Sequence, residues 1–353
     1  MIRPPEHVAA IRPYLPGKPI EELERELGIS GSIKLASNEN PTGPSPKAVD
    51  AIKSIADNLN RYPDGNGYYL KNKLAERLSV SPDEIILGNG SNELLDIAAR
   101  TYMEPGDEAV MAHPSFVVYS MAVQSIGAKA VQVPLKDYRH DLSAMRNAVT
   151  GGTKVVFIAN PNNPTGTINK KDEFDHFMEG LPDSVLVVVD EAYFEYVSEK
   201  DYADSMKWFR SGRDILILRT FSKIYGLAGL RIGYGIAKAG IVTEMNKIRA
   251  PFNTGTMAQA AALGALDDDE HVRKSRGTNE EGKKYLYNEL NNLGLEYVPT
   301  EANFIYMPVK DSMALYEKLL RDGVIIRPMG PNAVRVTIGL PEENKRFIEA
   351  IKK

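Results

Sequence analysis

Four short clusters in this 353-residue chain carry the side chains that could do chemistry. Gly88-Asn89-Gly90-Ser91-Asn92-Glu93 runs from glycines into what reads as a helix start. Asn160-Pro161-Asn162-Asn163-Pro164-Thr165-Gly166 is dense in turn residues whose amides can reach inward. Asp190-Glu191-Ala192-Tyr193 adds carboxylates and a phenol. Thr220-Phe221-Ser222-Lys223, followed by Gly226-Leu227-Ala228-Gly229-Leu230-Arg231, adds hydroxyls, an amine and a guanidinium. Taken singly, these are a turn, a loop carboxylate, a surface lysine and a capped helix start. Taken together they mean more, because each follows an apolar, β-rich run, and ligands of α/β proteins collect at the carboxyl ends of the strands.

The set suits pyridoxal phosphate. That cofactor needs a lysine amine for a Schiff base and an acid to keep its pyridine nitrogen protonated. It also needs a hydrogen bond to its ring oxygen and an anion cup. Lys223, Asp190, Asn163 with Tyr193, and the Gly90-Ser91-Asn92 helix start supply these in turn. A helix N-terminus offers unpaired N–H groups and the positive end of its dipole to a phosphate, and Thr220, Ser222 and Arg231 can complete the cup. Phe116, in His113-Pro114-Ser115-Phe116, can stack on a ring face, although alone it reads as core.

These clusters need elements that hold them. Apolar runs at 84–87, 109–111, 130–133, 154–158, 185–189, 215–219 and 231–236 read as strands. They alternate with helical segments at 46–60, 70–79, 91–102, 116–126, 170–180 and 238–248, which implies an α/β fold with a mostly parallel seven-stranded sheet. From about Glu270 the pattern becomes a long charged helix, 271–292, then strands at 303–307, 324–327 and 334–338 and helices at 312–321 and 342–353, a smaller α+β unit. The expected division is an arm over 1–44 packed on the small unit, a large domain over 45–268 and a small domain over 269–353.

Composition narrows the function classes. The chain has no cysteine, so thiolate chemistry, thiolate metal sites and disulfides are excluded. Its five histidines never fall at the i, i+4 spacing of paired metal ligands, and no metal site is expected. Lys+Arg 43 against Asp+Glu 47 leaves no basic excess for nucleic acid or anionic lipid. No apolar run is long enough for a signal sequence or a membrane span, so a cytoplasmic protein is expected.

The motifs Asn-Pro-x-Asn-Pro-Thr-Gly, Asp-Glu-Ala-Tyr and Ser-Lys-x-x-x-Leu-Ala-Gly-Leu-Arg, in this order, resemble those of the fold-type I, aspartate aminotransferase-like enzymes. The likeness runs from Leu35-Ala36-Ser37-Asn38-Glu39-Asn40-Pro41 to Arg335-Val336-Thr337-Ile338-Gly339. Within that family, four details are most similar to the branch acting on histidinol phosphate. They are Arg12-Pro13-Tyr14, Asn60-Arg61-Tyr62-Pro63-Asp64, Thr300-Glu301-Ala302-Asn303-Phe304 and the pair Arg327 and Arg335. The resemblance implies transamination between histidinol phosphate/imidazole acetol phosphate and glutamate/2-oxoglutarate in a homodimer with shared active sites. Lys223 would carry the cofactor and Asp190 would meet its ring nitrogen. Arg335, with Asn38 nearby, would grip the substrate carboxylate. Arg327, Tyr14 and Tyr62 would meet the phosphorylated substrate, Tyr62 reaching over the neighbouring subunit's cofactor. Asn92 stands where the family often has Asp, and Phe116 where several members have Tyr. Three rivals share the cofactor residues: an aromatic aminotransferase, a decarboxylase of a phosphorylated amino acid such as threonine phosphate, and a non-catalytic ligand sensor.

Overall fold

The computed structural model describes residues 2–353. Its strands are β1 (Ile33–Lys34), β2 (Ile85–Gly88), β3 (Glu108–His113), β4 (Lys129–Pro134), β5 (Thr153–Ala159) and β6 (Leu186–Asp190). They continue with β7 (Ile215–Thr220), β8 (Gly233–Ile236), β9 (Phe304–Pro308), β10 (Val324–Ile325), β11 (Arg327–Pro328) and β12 (Ala333–Thr337). Seven of them form one sheet in the order β2-β8-β7-β6-β5-β3-β4. Every pairing is parallel except those of β8, which runs antiparallel to both β2 and β7.

Helices cover both faces of this sheet. Val155, Phe157 and Ala159 of β5 enter one apolar cluster and Val156 and Ile158 the other, and β6 divides in the same way. A strand buried on both faces has no solvent side, which is why these strands read as unbroken apolar runs instead of alternating ones. Because β5, β6 and β7 are parallel, their carboxyl ends lie along one edge, and the three chemical clusters that follow them are brought side by side.

β9, β11 and β12 form an antiparallel three-stranded sheet in the order β11-β12-β9, and β1 pairs with β10 in parallel. The expected single strand over 324–327 is in fact two. Val324–Ile325 bonds to β1, then the chain passes through the buried Ile326 and Arg327–Pro328 joins β12, so that Arg327 sits in register with Arg335. Leu35 enters the core made by Leu286, Ile305, Val336 and Phe347, while Leu23 and Ala36 close over Ile325.

Other sequence expectations need correction. Residues 46–60 form a helix only over Pro46–Ile55, followed by a tighter turn, Ala56–Asn58. Helices at Ile20–Leu27, Leu142–Asn147, Ser205–Arg210 and Thr256–Leu266 add to those that the sequence pattern indicates. The last is almost wholly small and apolar, so it shows no polar stripe. It lies so close to Pro46–Ile55 that a Cβ on Gly264 would come within 2.5 Å of the Lys47 carbonyl oxygen. Among the described residues no helix is long and apolar enough to cross a membrane, and no group of three or more metal-ligating side chains converges.

Candidate active site

A cleft at the carboxyl edge of the large sheet gathers residues from all four clusters and from the chain's two ends. Its floor is Asp190, the last residue of β6, and Lys223, three residues beyond β7. Lys223 is half-buried, and its Nζ donates to the Ser37 carbonyl at 3.2 Å. Burial, reinforced by the Arg335 charge, pushes its amine down to about 7, against an ordinary 10.5. A lysine so placed is a competent nucleophile and base at neutral pH.

Asp190 is pushed the other way, up to about 6 from 3.8, by burial. Its Oδ2 accepts the Tyr119 hydroxyl at 2.8 Å and its Oδ1 the Ala192 N–H at 3.1 Å. The adjacent Glu191 is already committed. Arg219 grips its Oε2 through Nε at 2.9 Å and Nη2 at 2.8 Å, and the guanidinium lies 3.7 Å from the Phe194 ring centroid. Of the two neighbouring carboxylates, Asp190 is therefore the one left for a ligand in the cleft.

The helix Ser91–Tyr102 begins at the cleft wall, and its N-cap, Gly90, supplies no side-chain hydrogen bond. Gly90 has φ +75°, and a Cβ there would stand 2.5 Å from Arg231 Nη2, so only glycine fits. Gly233 on β8 is equally constrained, since a Cβ would lie 2.5 Å from the Ser91 nitrogen. Arg231 Nη1 donates to Ser222 Oγ at 3.2 Å and to the Ala228 carbonyl at 2.9 Å, and Ser222 N–H meets Thr220 Oγ1 at 3.1 Å. Ser91, Asn92, Thr220, Ser222 and Arg231 thus line one end of the cleft as a set of donors with no resident carboxylate. That arrangement suits a phosphate monoester. Phe116 lies across the cleft just before the helix Val118–Ser125.

The opposite wall comes from β12 and the first forty residues. Val334 and Val336 face the small core, so Arg335 projects the other way, into the cleft. It is 8% exposed. Its Nη1 donates to Asn163 Oδ1 at 2.5 Å and its Nη2 to the Ala36 carbonyl at 2.8 Å, while its Nε is buried without an acceptor. With Oδ1 taken, Asn163 offers a ligand its amide N–H. Tyr193 OH accepts Asn38 Nδ2 at 2.9 Å, and Asn38, at φ +55°, is held by Thr337 Oγ1 and by Asn303 Nδ2. Tyr14 hangs over the mouth.

Two expected residues stand apart. Arg327 is at the rim, donating to the Leu15 carbonyl at 2.7 Å with its guanidinium 5.2 Å from the Tyr14 ring centroid. Tyr62 is 82% exposed, stacked on Phe252 at 4.7 Å, and does not enter this chain's cleft. Sequence reasoning missed Tyr119, whose only signal was its position three residues after Phe116. It also missed Asn162 as a brace. Asn162 Oδ1 meets Ser115 Oγ at 2.8 Å and His140 Nε2 at 3.1 Å, tying the Phe116 turn to the Asn-Pro cluster. Burial drives His140 down to about 4, so it is neutral.

The family model for aminotransferase class I and II matches residues 30–351. Histidinol-phosphate aminotransferase of Moorella thermoacetica is 51% identical over 99% of this chain and 92% of its own. Histidinol-phosphate aminotransferase 1 of Nitrosococcus oceani is 50% identical over 98% and 95%. Among solved structures, histidinol-phosphate aminotransferase from Sinorhizobium meliloti in complex with pyridoxal-5'-phosphate superposes with a TM-score of 0.91 at 28% identity, covering 100% of this chain and 98% of that one. The chain belongs to the class I and II aminotransferases, and its fold is that of the fold-type I pyridoxal phosphate enzymes.

Proposed function

We propose that this enzyme, with pyridoxal 5'-phosphate as cofactor, moves an amino group between L-glutamate and imidazole acetol phosphate, yielding histidinol phosphate for histidine biosynthesis. Relatives at half identity over nearly the whole chain bear that name. The observation that carries the reading is Arg335. It is a buried guanidinium whose two hydrogen-bonded partners are neutral oxygens and whose Nε has none, facing the same cleft as Lys223 and Asp190. A buried cation without a counter-charge is costly, and an incoming carboxylate or phosphate relieves it. Guanidinium takes either anion bidentately, so one site can serve glutamate and a phosphorylated, carboxylate-free partner in alternate half-reactions. The cofactor fits the donor set: a helix start with no side-chain cap, an amine pushed toward neutrality and a buried acid.

When bound, pyridoxal phosphate supplies the electron sink that makes the substrate Cα–H acidic. Lys223 would hold the cofactor and, when its amine is free, move the proton at Cα, a task suited to an amine titrating near neutrality. Asp190 would serve the ring nitrogen and favour its protonated form. Ser91, Asn92, Thr220, Ser222, Arg231 and the N–H groups beside Gly90 would bind the phosphate. Phe116 would cover the ring, and Asn163 and Tyr193 would hydrogen-bond its oxygen. Arg335 and Asn38 bind and orient the substrate, with Arg327 and Tyr14 closing the outer end.

The same reading includes a cytoplasmic homodimer in which Tyr62 serves the neighbouring subunit, since its exposed ring finds no cleft in its own chain. It also includes an arm over 1–44, a large domain over 45–268 and a small domain over 269–353, in keeping with the β1–β10 pairing and the place of Leu35 in the small core. The test is a half-reaction screen that follows the bound cofactor's absorbance as histidinol phosphate, glutamate, phenylalanine, tyrosine and threonine phosphate are added singly. Histidinol phosphate and glutamate should each convert it. Efficient conversion by phenylalanine or tyrosine with no response to histidinol phosphate makes it an aromatic aminotransferase. Carbon dioxide release from threonine phosphate makes it a decarboxylase. Mixing inactive Lys223→Ala and Tyr62→Ala proteins should restore activity in hybrid dimers, and dead hybrids verified by mass would leave Tyr62 to its own chain.

A further inference from the structure

Behind Asp190 lies a contact that the proposed chemistry has not used. Tyr119 is 1% exposed, and its hydroxyl donates to Asp190 Oδ2 at 2.8 Å. Its ring stacks on Phe157 of β5, with centroids 5.1 Å apart and planes 7° apart, and meets the Phe116 ring edge-on at 5.7 Å and 85°. Its backbone N–H also holds the Phe116 carbonyl at 3.2 Å. The phenol is therefore locked from both sides, with its one donor aimed at the acid.

We propose that Tyr119 is a positioning residue that keeps the shared proton on the cofactor's ring nitrogen, by holding Asp190 Oδ2 in a hydrogen bond and so making that carboxylate the weaker base. The inference rests on Asp190 being the ring-nitrogen partner. Its physical basis is a competition between two bases for one proton. Burial alone strengthens a carboxylate as a base, and in this enclosed position it drives Asp190 well above its ordinary range. A carboxylate that basic would draw the proton off the pyridine and remove the charge that the reaction depends on.

Hydrogen bonds donated to the ionised carboxylate oppose that drift. Asp190 receives two. The Ala192 N–H comes from the backbone and is fixed by the turn after β6, so Tyr119 is the side-chain contribution. The other charged or titratable groups around Asp190 are Lys223, which favours its ionised form, Glu191, which opposes it, Tyr193, and Tyr202, whose hydroxyl is committed to the Asn160 carbonyl. Lys223 is the group the proposed chemistry occupies and Glu191 is bound by Arg219, so neither can take over the role. Tyr119 remains a donor throughout, because burial and the Asp190 charge raise its own ionisation well above 10. Contact with Phe116 adds a second consequence, since one side chain sets the register of the ring-covering residue and of the acid.

The experiment uses holoenzyme reconstituted with pyridoxal 5'-phosphate labelled with nitrogen-15 in its ring. Tyr119→Phe keeps the ring and the packing and removes only the hydroxyl. The ring-nitrogen resonance should move toward that of neutral pyridine, with the protonated share falling by about tenfold relative to its competitor. kcat should fall while KM for glutamate holds. Replacing Tyr119 by 3-fluorotyrosine, a stronger donor that preserves the hydroxyl, should move the resonance the opposite way and covers the case in which the phenylalanine variant does not fold. A resonance unchanged in both variants, with wild-type melting, overturns the inference alone and leaves Tyr119 a core residue. A wild-type resonance already at the neutral position overturns the Asp190 assignment and the inference with it.

Discussion

On the wall made by β5, β6 and β7, the chemical side chains lie within a few residues of strand ends and are buried with their partners. Asp190 is held by Tyr119 and Ala192, Glu191 by Arg219, and Lys223 by the Ser37 carbonyl. On the facing wall, Asn38 and Tyr14 come from the start of the chain and Arg327 and Arg335 from its end. Burial there grades outward, from Arg335 at 8% exposed to Tyr14 at 52%. The first wall is a by-product of a sheet that the fold needs in any case. The second exists only when two ends of the sequence meet, and the groups on it hold carbonyls and one another while they wait for an anion. On the proposed roles, chemistry is fixed on one side and recognition is assembled on the other, which would allow substrate preference to vary without disturbing the reacting groups.

The sharpest break in that contrast is Lys223→Ala, which should lower transamination by at least ~10³-fold, since a proton-transferring group and the cofactor's attachment are lost together. Borohydride reduction and peptide mapping of wild type should place the pyridoxyl group on Lys223, and a label on another lysine would dismantle the inner wall. Next comes Arg335→Ala, which should cost about 2–5 kcal/mol in kcat/KM for both half-reactions because the guanidinium is desolvated. The bound-cofactor spectrum should stay as in wild type. Loss of cofactor in this variant would mean that the walls are not separable.

Arg327→Ala should cost less, on the order of tenfold in kcat/KM, because a rim charge is screened. A loss equal to that of Arg335→Ala would put it in the same desolvated layer. A last effect, on stability and not on turnover, concerns the cofactor-free protein. Lys223 titrates near 7 when folded and near 10.5 when unfolded, so between those values the unfolded chain binds more protons and stability rises with pH. Lys223→Met removes this dependence. The variant should be more stable than wild type at and below about pH 7, with the gap closing toward pH 10 in denaturant titrations. A gap independent of pH would show that the amine is charged in the folded state.

The two walls also differ in how legible they are. β5 to β7 stand out in the sequence, because strands buried on both faces leave continuous apolar runs, and the residues after each run carry the chemistry. Tyr119 is invisible for the opposite reason, since an aromatic in a helical stretch reads as core, and only its hydroxyl's target distinguishes it. The helix Thr256–Leu266 offers no polar stripe to betray its period. The 324–327 segment looks like one strand because sequence carries no mark of the change of partner at Ile326, and that change is what sets Arg327 beside Arg335. Tyr62 is singled out by resemblance, which also sets it over a neighbouring subunit, and in the structure it lies outside the cleft of its own chain, stacked on Phe252.

β1 pairs Ile33 with Val324, a partner synthesised about 290 residues later. At ~5–20 residues per second, the arm emerges from the ribosome roughly 15–60 s before the strand that receives it. Leu23, Leu35 and Ala36, all buried in the finished protein, have no native cover during that interval, whereas the span from β2 to β8 can already close its sheet. The nascent chain can thus complete the sheet that carries Asp190 and leads to Lys223 while Leu23, Leu35 and Ala36 still lack their native cover, so the wall bearing Arg335 is assembled after the one it faces.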